Sequence, residues 1–306
     1  MDNEAKDINA SPACGSAGRP IKMHIYLKVR ISCDFMSKTK DFRTTHANGD
    51  VFLNMMERRG GFNLTAMYNT TGDSSTHEGL LRLMNSTVLQ DRGEFLMHHT
   101  TADVRFVVRG LGYIVGETLA FNRSMKDQTT QDVAGQILGA LSWLDGSSMR
   151  STMNDLRGIL NTANRRRGWE MADVRDIVVG SACLVEVAKD VRGTKESIRA
   201  ANDSLQIVKH AAEYAKDSKT ALGVIWMLEN IKPARLEKLA WDVGEMKDIF
   251  SDDSRVLSGM FDMLLKEGGV DRLRRLGANM RRSNNFANKK DDIDMEIRKA
   301  LLRREK

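Results

Sequence analysis

The residues with the clearest capacity for chemistry are arginines near the C-terminal end of the sequence. Arg272 and Arg275 are three residues apart and Arg282 follows seven later, so on a helix several guanidinium groups share one face. A planar guanidinium donates two hydrogen bonds to a phosphate. The predicted RNA-binding residues are Arg272, Arg274, Arg275, Arg281, Arg282, Lys289 and Lys290. The alternative is a surface whose arginines are ion-paired with neighbouring carboxylates.

The composition around these arginines indicates which nucleic acid they would bind. Only Phe286 accompanies them as an aromatic residue, which disfavours the stacking of single-stranded bases. A helix face of arginine without aromatics suits backbone contact with a duplex, read by its shape. The segment from Lys266 to Lys306 holds 13 basic and 7 acidic residues, an excess equal to the +6 of the whole chain. We therefore expect RNA as a partner, with the duplex form favoured.

Other residues offer weaker chemistry. His98 and His99 are adjacent, so on a strand they would point to opposite faces and be poorly placed to bind one metal ion, even with Asp103 nearby. Cys183 lies in an apolar run, which is typical of a packed thiol. The glycines of Gly110-Leu111-Gly112 lack the following helix of a phosphate loop. We predict a binding protein without metal or cofactor; the alternative is an enzyme with a scattered site around His98, His99 and Asp103.

The N-terminal half is predicted to contain the strands. Residues Ile21 to Cys33 alternate strictly between apolar and polar, which predicts a strand with one buried and one wet face, as in an antiparallel sheet. The β-rich runs Val104–Arg109 and Tyr113–Leu119, joined through Gly110-Leu111-Gly112, predict a hairpin. A strand is also expected over Gly61–Tyr68. The predicted fold class is α+β, with helices packed on an antiparallel sheet in this half.

The C-terminal half is predicted to be all helical. Helical periods begin after Thr129 and resume over Met149–Asn161. An apolar seam with steps of three and four predicts a helix packed inside the protein, with a dimeric coiled coil as the alternative. Its residues are Ile198, Ala201, Leu205, Val208, Ala212 and Ala215. Ser251 to Ser254 is a helix start, and Gly268-Gly269 is the end of that helix.

Four segments follow from these patterns. Residues 1–20 are a flexible lead-in, 21–166 an α+β domain, 167–250 a helical domain, and 251–306 a basic helical segment that binds nucleic acid. The cationic run Arg165-Arg166-Arg167-Gly168 is the expected boundary between the first two domains. No stretch reaches the roughly 18 apolar residues of a membrane span, and three cysteines without short spacing predict no disulfide framework. We expect a cytosolic or nuclear protein that does not bind a membrane.

The stretch after Val107 resembles the effector domain of the influenza-type non-structural proteins, the orthomyxovirus antagonists of the interferon response. The similar residues are Val107-Val108-Arg109, Gly112 to Glu117, Gln131-Asp132-Val133, Leu141-Ser142-Trp143, Arg150-Ser151 and Leu156-Arg157. A second stretch, Ala221–Val224 with Leu228-Glu229 and Ala240-Trp241, is similar to the same effector helix and competes with the first. The resemblance implies that Trp143 mediates contact between effector domains, and Tyr113 and Arg150 are further candidates for protein contact.

Asp271-Arg272-Leu273-Arg274-Arg275 resembles the arginine segment of that family's double-stranded RNA-binding domain. On that resemblance Arg272 and Arg275 contact RNA, although here the segment follows the effector-like part instead of preceding it. The implied function is a viral non-structural protein that suppresses host interferon signalling by binding host proteins and RNA. It would form homo-oligomers in the host cytoplasm and nucleus. The alternative is a viral nucleoprotein or another structural protein that coats RNA.

Overall fold

The computed structural model describes residues 64–119, 127–191, 193–282 and 286–302. In these ranges the chain forms α-helices and one short 3₁₀ helix, Glu94–His98, and no strand. The α-helices are α1 (Leu64–Thr70), α2 (Ser74–Met84), α3 (Val88–Arg92), α4 (Thr101–Leu119), α5 (Asp127–Leu141), α6 (Gly146–Asn164), α7 (Met171–Ala188), α8 (Thr194–Tyr214), α9 (Ser218–Glu229), α10 (Pro233–Ile249), α11 (Ser254–Leu264), α12 (Gly269–Arg282) and α13 (Phe286–Leu302).

The predicted α+β fold with an antiparallel sheet is therefore wrong: the described part of the chain is mainly helical. The hairpin predicted over 104–119 is the single helix α4. Six apolar residues at helical steps of one, three and four are buried, namely Val104, Val107, Val108, Leu111, Ile114 and Val115. The strand predicted over Gly61–Tyr68 is also wrong from Leu64 onwards, where α1 begins. The strand predicted over Ile21–Cys33 lies outside the described residues.

The glycines that suggested a hairpin turn instead allow two helices to touch. Helix α2 crosses α4 so closely that a Cβ atom on Gly79 would lie 1.7 Å from the carbonyl oxygen of Gly112 and 2.7 Å from the backbone nitrogen of Gly116. Any side chain at Gly79 would collide with backbone, which cannot move aside as a flexible side chain can. The spacing of Gly112 and Gly116 places both on one face of α4. These glycines allow the backbones of α2 and α4 to approach closely, and none of them forms the tight turn that the hairpin prediction required.

Helices α7 and α8 occupy the middle of the packing. Helix α8 packs against α6, α7, α9, α10 and α11, while α7 also packs against α5. The apolar seam of α8 faces these neighbours, and Ala201, Leu205, Val208 and Ala212 are buried there. The seam is therefore internal to the chain, as the first of its two interpretations predicted.

Aspartates define where several helices begin. Asp73, Asp145 and Asp217 each accept a hydrogen bond of 2.8 Å from a backbone N–H three residues later. Asp253 caps α11 in the same way, accepting from the backbone N–H of Val256. A side-chain oxygen in this position satisfies a donor that the first helical turn leaves unpaired. The helix start predicted at Ser251–Ser254 is confirmed.

The cationic run at 165–167 connects helices on both of its sides. Arg166 Nη1 donates to the carbonyl oxygen of Glu213 at 2.9 Å, its Nη2 donates to that of Ala215, and its guanidinium lies 5.3 Å from the ring centroid of Trp169. These bonds satisfy carbonyls at the C-terminal end of α8. Helix α6, before the run, packs on α7 and α8, which follow it. The predicted domain limits stay a prediction.

No helix in the described ranges is both long and apolar enough to cross a lipid bilayer.

Candidate nucleic-acid interface

Helices α11, α12 and α13 enclose a pocket of about 300 Å³ that contains two of the predicted RNA-binding arginines. Among the described residues that line it, three side chains are cationic, one is anionic, and the rest are an amide and two apolar groups. The lining residues are Met263, Arg272, Arg275, Leu276, Asn279, Glu296 and Lys299. In the part that the structure describes, the pocket therefore combines positive charge with an apolar part and one carboxylate.

A glycine pair sets the direction in which α12 leaves α11. Gly268 has φ of +67°, a left-handed backbone conformation that side chains other than glycine rarely adopt. A Cβ atom on Gly269 would lie 2.1 Å from the carbonyl oxygen of Met263. The chain therefore turns back tightly over the last turn of α11, where Met263 is buried. This turn places the first turns of α12 next to Met263.

One face of α12 supplies the arginines. Arg272, Arg275 and Asn279 follow at steps of three and four, so their side chains lie on one side of the helix and all three line the pocket. Leu273 is buried, and a Cβ atom on Gly277 would lie 2.3 Å from Asp242 Oδ1 of α10. One face of α12 thus packs against α10, and another face carries the arginines.

Helix α13 supplies the remaining charges. Its residues Ile293 and Ile297 are buried, and the helix packs against α11. Glu296 and Lys299 line the pocket, and Lys299 Nζ lies 2.9 Å from Glu296 Oε1. Both side chains are about half exposed. The ammonium group of Lys299 can therefore exchange this partner for an incoming anion at small cost.

Arg272 and Arg275 have no carboxylate partner among the described residues. Arg272 is half-buried and Arg275 is exposed, and neither takes part in an ion pair there. Nearby cations behave differently: Arg298 is bonded to Asp294 at 2.7 Å, and Arg235 lies 3.9 Å from Asp271. In the described part of the chain, the ion-paired surface that was the alternative interpretation is thus not formed at Arg272 and Arg275.

The structure describes the side chain of only one of the other predicted RNA-binding residues, Arg274. Arg274 is half-buried and does not line the pocket. Arg281 and Arg282 belong to the end of α12, and Lys289 and Lys290 to the first turns of α13, but these four side chains lie outside the part that the structure describes.

Sequence reasoning missed Asn279, Glu296 and Lys299. The i, i+3, i+7 spacing from Arg272 would have found Asn279. Nothing local connects Lys299 to Arg272, because that relation depends on how α13 packs on α11.

The predicted protein-contact residues have partners inside the helical packing. Tyr113 donates its hydroxyl hydrogen to Asn161 Oδ1, and the guanidinium of Arg157 lies 5.1 Å from its ring centroid. Burial raises the pKa of Tyr113, the carboxylate of Glu117 raises it further, and Arg157 opposes both.

Arg150 Nε lies 2.9 Å from Asp103 Oδ1. Trp143 is half-buried beyond the end of α5. Their role in contacts with other proteins stays a prediction.

The alternative active site at residues 98–103 is spread out. His98 is exposed, His99 lies edge-on to Phe95 with ring centroids 6.2 Å apart, and Asp103 accepts a hydrogen bond of 2.6 Å from Thr100. Cys183 is half-buried and donates a weak hydrogen bond to Gln136 Oε1 at 3.8 Å. Within the described ranges, no three His, Cys, Asp or Glu side chains converge as a metal site requires.

No family model, curated protein or solved structure matches this chain.

Proposed function

We propose that this protein binds RNA through the pocket between α11, α12 and α13, stoichiometrically and without catalysis. The observation that carries the proposal is the pair Arg272 and Arg275, which line one pocket together with Lys299 and form no ion pair among the described residues. Two guanidinium groups one helical turn apart suit the oxygens of one phosphate or of two neighbouring phosphates. Phosphate contacts of this kind supply most of the affinity in binding that is not sequence-specific.

The ligand that we propose is double-stranded RNA. Among the described residues, no aromatic side chain lines the pocket, and stacking is the main source of affinity for single strands. Helix α12 presents its cations along one face, and a duplex is recognised largely through its phosphates and its shape.

The biological role that we propose is suppression of host antiviral signalling by a viral non-structural protein. This part of the proposal is supported by the resemblance of the Asp271–Arg275 segment to the arginine segment of the orthomyxovirus proteins. Binding to host proteins, assembly into homo-oligomers and location in the host cytoplasm and nucleus belong to the same proposal. The mechanism would be occupancy: RNA held by this protein is withheld from host sensors.

RNA binding measured across a salt series tests the proposal. The intact protein is compared with the double variant Arg272→Ala, Arg275→Ala, and with a control, Arg199→Ala, Arg235→Ala, which removes two arginines paired on the surface with Glu237 and Asp271. We expect the first variant to bind at least about tenfold more weakly, with a log–log salt slope reduced by about two. The control should keep most of the affinity. Absence of binding by the intact protein at moderate salt would contradict the proposal, as would equal losses in both variants.

A protein that coats RNA, such as a viral nucleoprotein, is the second candidate. The helical character of the described residues favours it, because coating RNA requires no sheet domain for host partners. The length dependence of binding separates the two candidates. A coating protein should bind long RNA cooperatively and form multimers along it, whereas an antagonist should bind short duplexes with full affinity.

A further inference from the structure

The pocket contains side chains that contact with an RNA backbone does not require. A helix that touches only phosphodiesters needs cations and neutral donors, and a carboxylate beside them would repel the ligand. Here Glu296 lines the pocket next to Arg272, Arg275 and Lys299, and Met263 and Leu276 add apolar surface. We propose that the pocket holds one 5′-phosphorylated ribonucleotide. That this nucleotide is the 5′ end of an RNA strand rests on the proposed function, because a free nucleotide presents the same phosphate, ribose and base.

The cations fit a terminal phosphate better than an internal one. Arg272 and Arg275 are one helical turn apart, so both guanidinium groups can reach the same phosphate, and Lys299 approaches from α13. A terminal phosphate monoester carries between one and two negative charges near neutral pH, as phosphorylated side chains do. A phosphodiester carries one charge. Three cations around one site therefore favour the end of a chain.

The carboxylate and the amide fit a ribose. An ionised carboxylate only accepts hydrogen bonds, and the hydroxyl groups of a ribose are donors that it can use. Lys299 Nζ lies 2.9 Å from Glu296 Oε1, so the carboxylate stands at the edge of the cationic cluster and stays there when Lys299 turns to a phosphate. Asn279 can both donate and accept. The 2′-hydroxyl is the group by which a protein distinguishes RNA from DNA.

The apolar residues and the size of the pocket also fit one nucleotide. The half-buried Leu276 offers an apolar surface on which the flat face of a base can pack, whereas the buried Met263 lines the pocket with little exposed area. The volume of about 300 Å³ is at the lower end of the range for small-ligand pockets, roughly 300–1,000 Å³. A space of this size accommodates one nucleotide, so only the terminal nucleotide of an RNA strand enters it and the rest of a duplex lies against the surrounding surface.

The decisive experiment measures binding of one RNA oligonucleotide with either a 5′-monophosphate or a 5′-hydroxyl, labelled at its 3′ end, to the full chain. We expect the phosphate to raise the affinity about tenfold or more. The advantage should disappear in Arg275→Gln and remain in Arg199→Gln, a control whose exposed side chain pairs with Glu237 and does not line the pocket. Competition by adenosine monophosphate then separates the two sources of ligand.

Each outcome of this experiment has a distinct meaning. Equal affinity for both RNAs, together with no competition by adenosine monophosphate, overturns the inference while RNA binding as such stands. If adenosine monophosphate binds in an Arg275-dependent manner and neither RNA binds, the pocket takes free nucleotides and the proposed RNA-binding function fails. A phosphate advantage that survives Arg275→Gln also overturns the inference, because the phosphate is then bound elsewhere.

The variant Glu296→Gln tests the ribose contact separately. If Glu296 accepts from the 2′-hydroxyl, the variant should lose most of the preference for 5′-phosphorylated RNA over the same DNA. If Glu296 acts only through its charge, its removal should strengthen binding of RNA and DNA equally, and that result would overturn this part of the inference. The same measurement on Glu237→Gln, an exposed glutamate paired with Arg199 outside the pocket, controls for the change in total charge.

Discussion

Arg150 at the start of α6 lies 2.9 Å from the buried carboxylate of Asp103 at the start of α4, and this pair joins the two helices where both begin. The side chain of Asp103 is only 8% exposed and that of Arg150 is 49% exposed. Removing the guanidinium leaves a nearly buried carboxylate that, among the described residues, accepts a side-chain hydrogen bond only from the hydroxyl of Thr100. We expect Arg150→Ala to lower the free energy of unfolding by about 1–3 kcal/mol, measured by urea denaturation.

The matched control for this prediction is Arg199→Ala. Arg199 and Glu237 form an ion pair at 3.5 Å in which both side chains are more than 60% exposed. Exposed pairs of this kind contribute about 0–1 kcal/mol. If both variants lose the same free energy of unfolding, the pair of Arg150 with Asp103 stabilises the fold no more than an exposed pair does. That result would favour the predicted role of Arg150 in protein contact.

The crossing of α2 and α4 predicts an unusually severe alanine substitution. A Cβ atom at Gly79 would overlap the carbonyl oxygen of Gly112, so Gly79→Ala must push the two helices apart. We expect a loss of about 3 kcal/mol or more, at the upper end of the usual cost of overpacking. The control is Gly244→Ala in α10, where no atom lies within 4 Å of the added methyl group. That change should stabilise the protein by about 0.5–1 kcal/mol, because alanine favours a helix over glycine. Similar melting temperatures for both variants would refute the close crossing.

The same crossing explains why the sequence was misinterpreted between residues 104 and 119. Valines, a tyrosine and three glycines have strong strand and turn tendencies, and these outweighed the helical period of the apolar residues. The period of 3.6 was nevertheless present at Val104, Val107, Val108 and Leu111. The glycines are explained only by a second helix at close range, and this is a tertiary relation that no local pattern reveals.

Other parts of the fold were open to prediction because their signals are local. The helix over Met149–Asn161 and the start of α11 at Asp253 follow from periodicity and capping, and both are confirmed. The arginines of α12 were found for the same reason, since their spacing lies within one helix. Lys299 and Glu296 were not found, because the packing of Ile293 and Ile297 brings α13 to the pocket.

His210 in α8 makes stability depend on pH. Burial lowers its pKa below the ordinary value of 6.5, and the carboxylate of Glu213 only partly opposes this. Because the unfolded chain binds the proton more readily than the folded chain, protonation favours unfolding. We expect the free energy of unfolding to be unaffected by His210 above about pH 7, to fall as the pH drops through 6.5, and to level off below the folded pKa.

The variant His210→Gln isolates this effect in denaturation curves measured between neutral and acidic pH. The pH dependence of the intact protein alone does not isolate His210, because burial raises the pKa values of Asp155 and Asp203. Protonation of these two carboxylates stabilises the folded chain as the pH falls. The free energy of unfolding of the intact protein minus that of the variant should decrease as the pH falls through 6.5 and become constant below the folded pKa of His210. A difference that is constant with pH would show that His210 titrates alike in the folded and unfolded chains.

Lys299 provides the sharpest test of whether α13 belongs to the RNA interface. Lys299→Gln removes one of the three cations of the pocket and leaves Glu296 without its partner at 2.9 Å. We expect weaker RNA binding and a log–log salt slope reduced by about one. Lys299→Arg, which keeps the charge, should restore most of the affinity. The control Lys238→Gln removes an exposed lysine of α10 that does not line the pocket. Equal losses for Lys299→Gln and Lys238→Gln would mean that RNA responds to total charge alone, and the pocket would then not be the binding site.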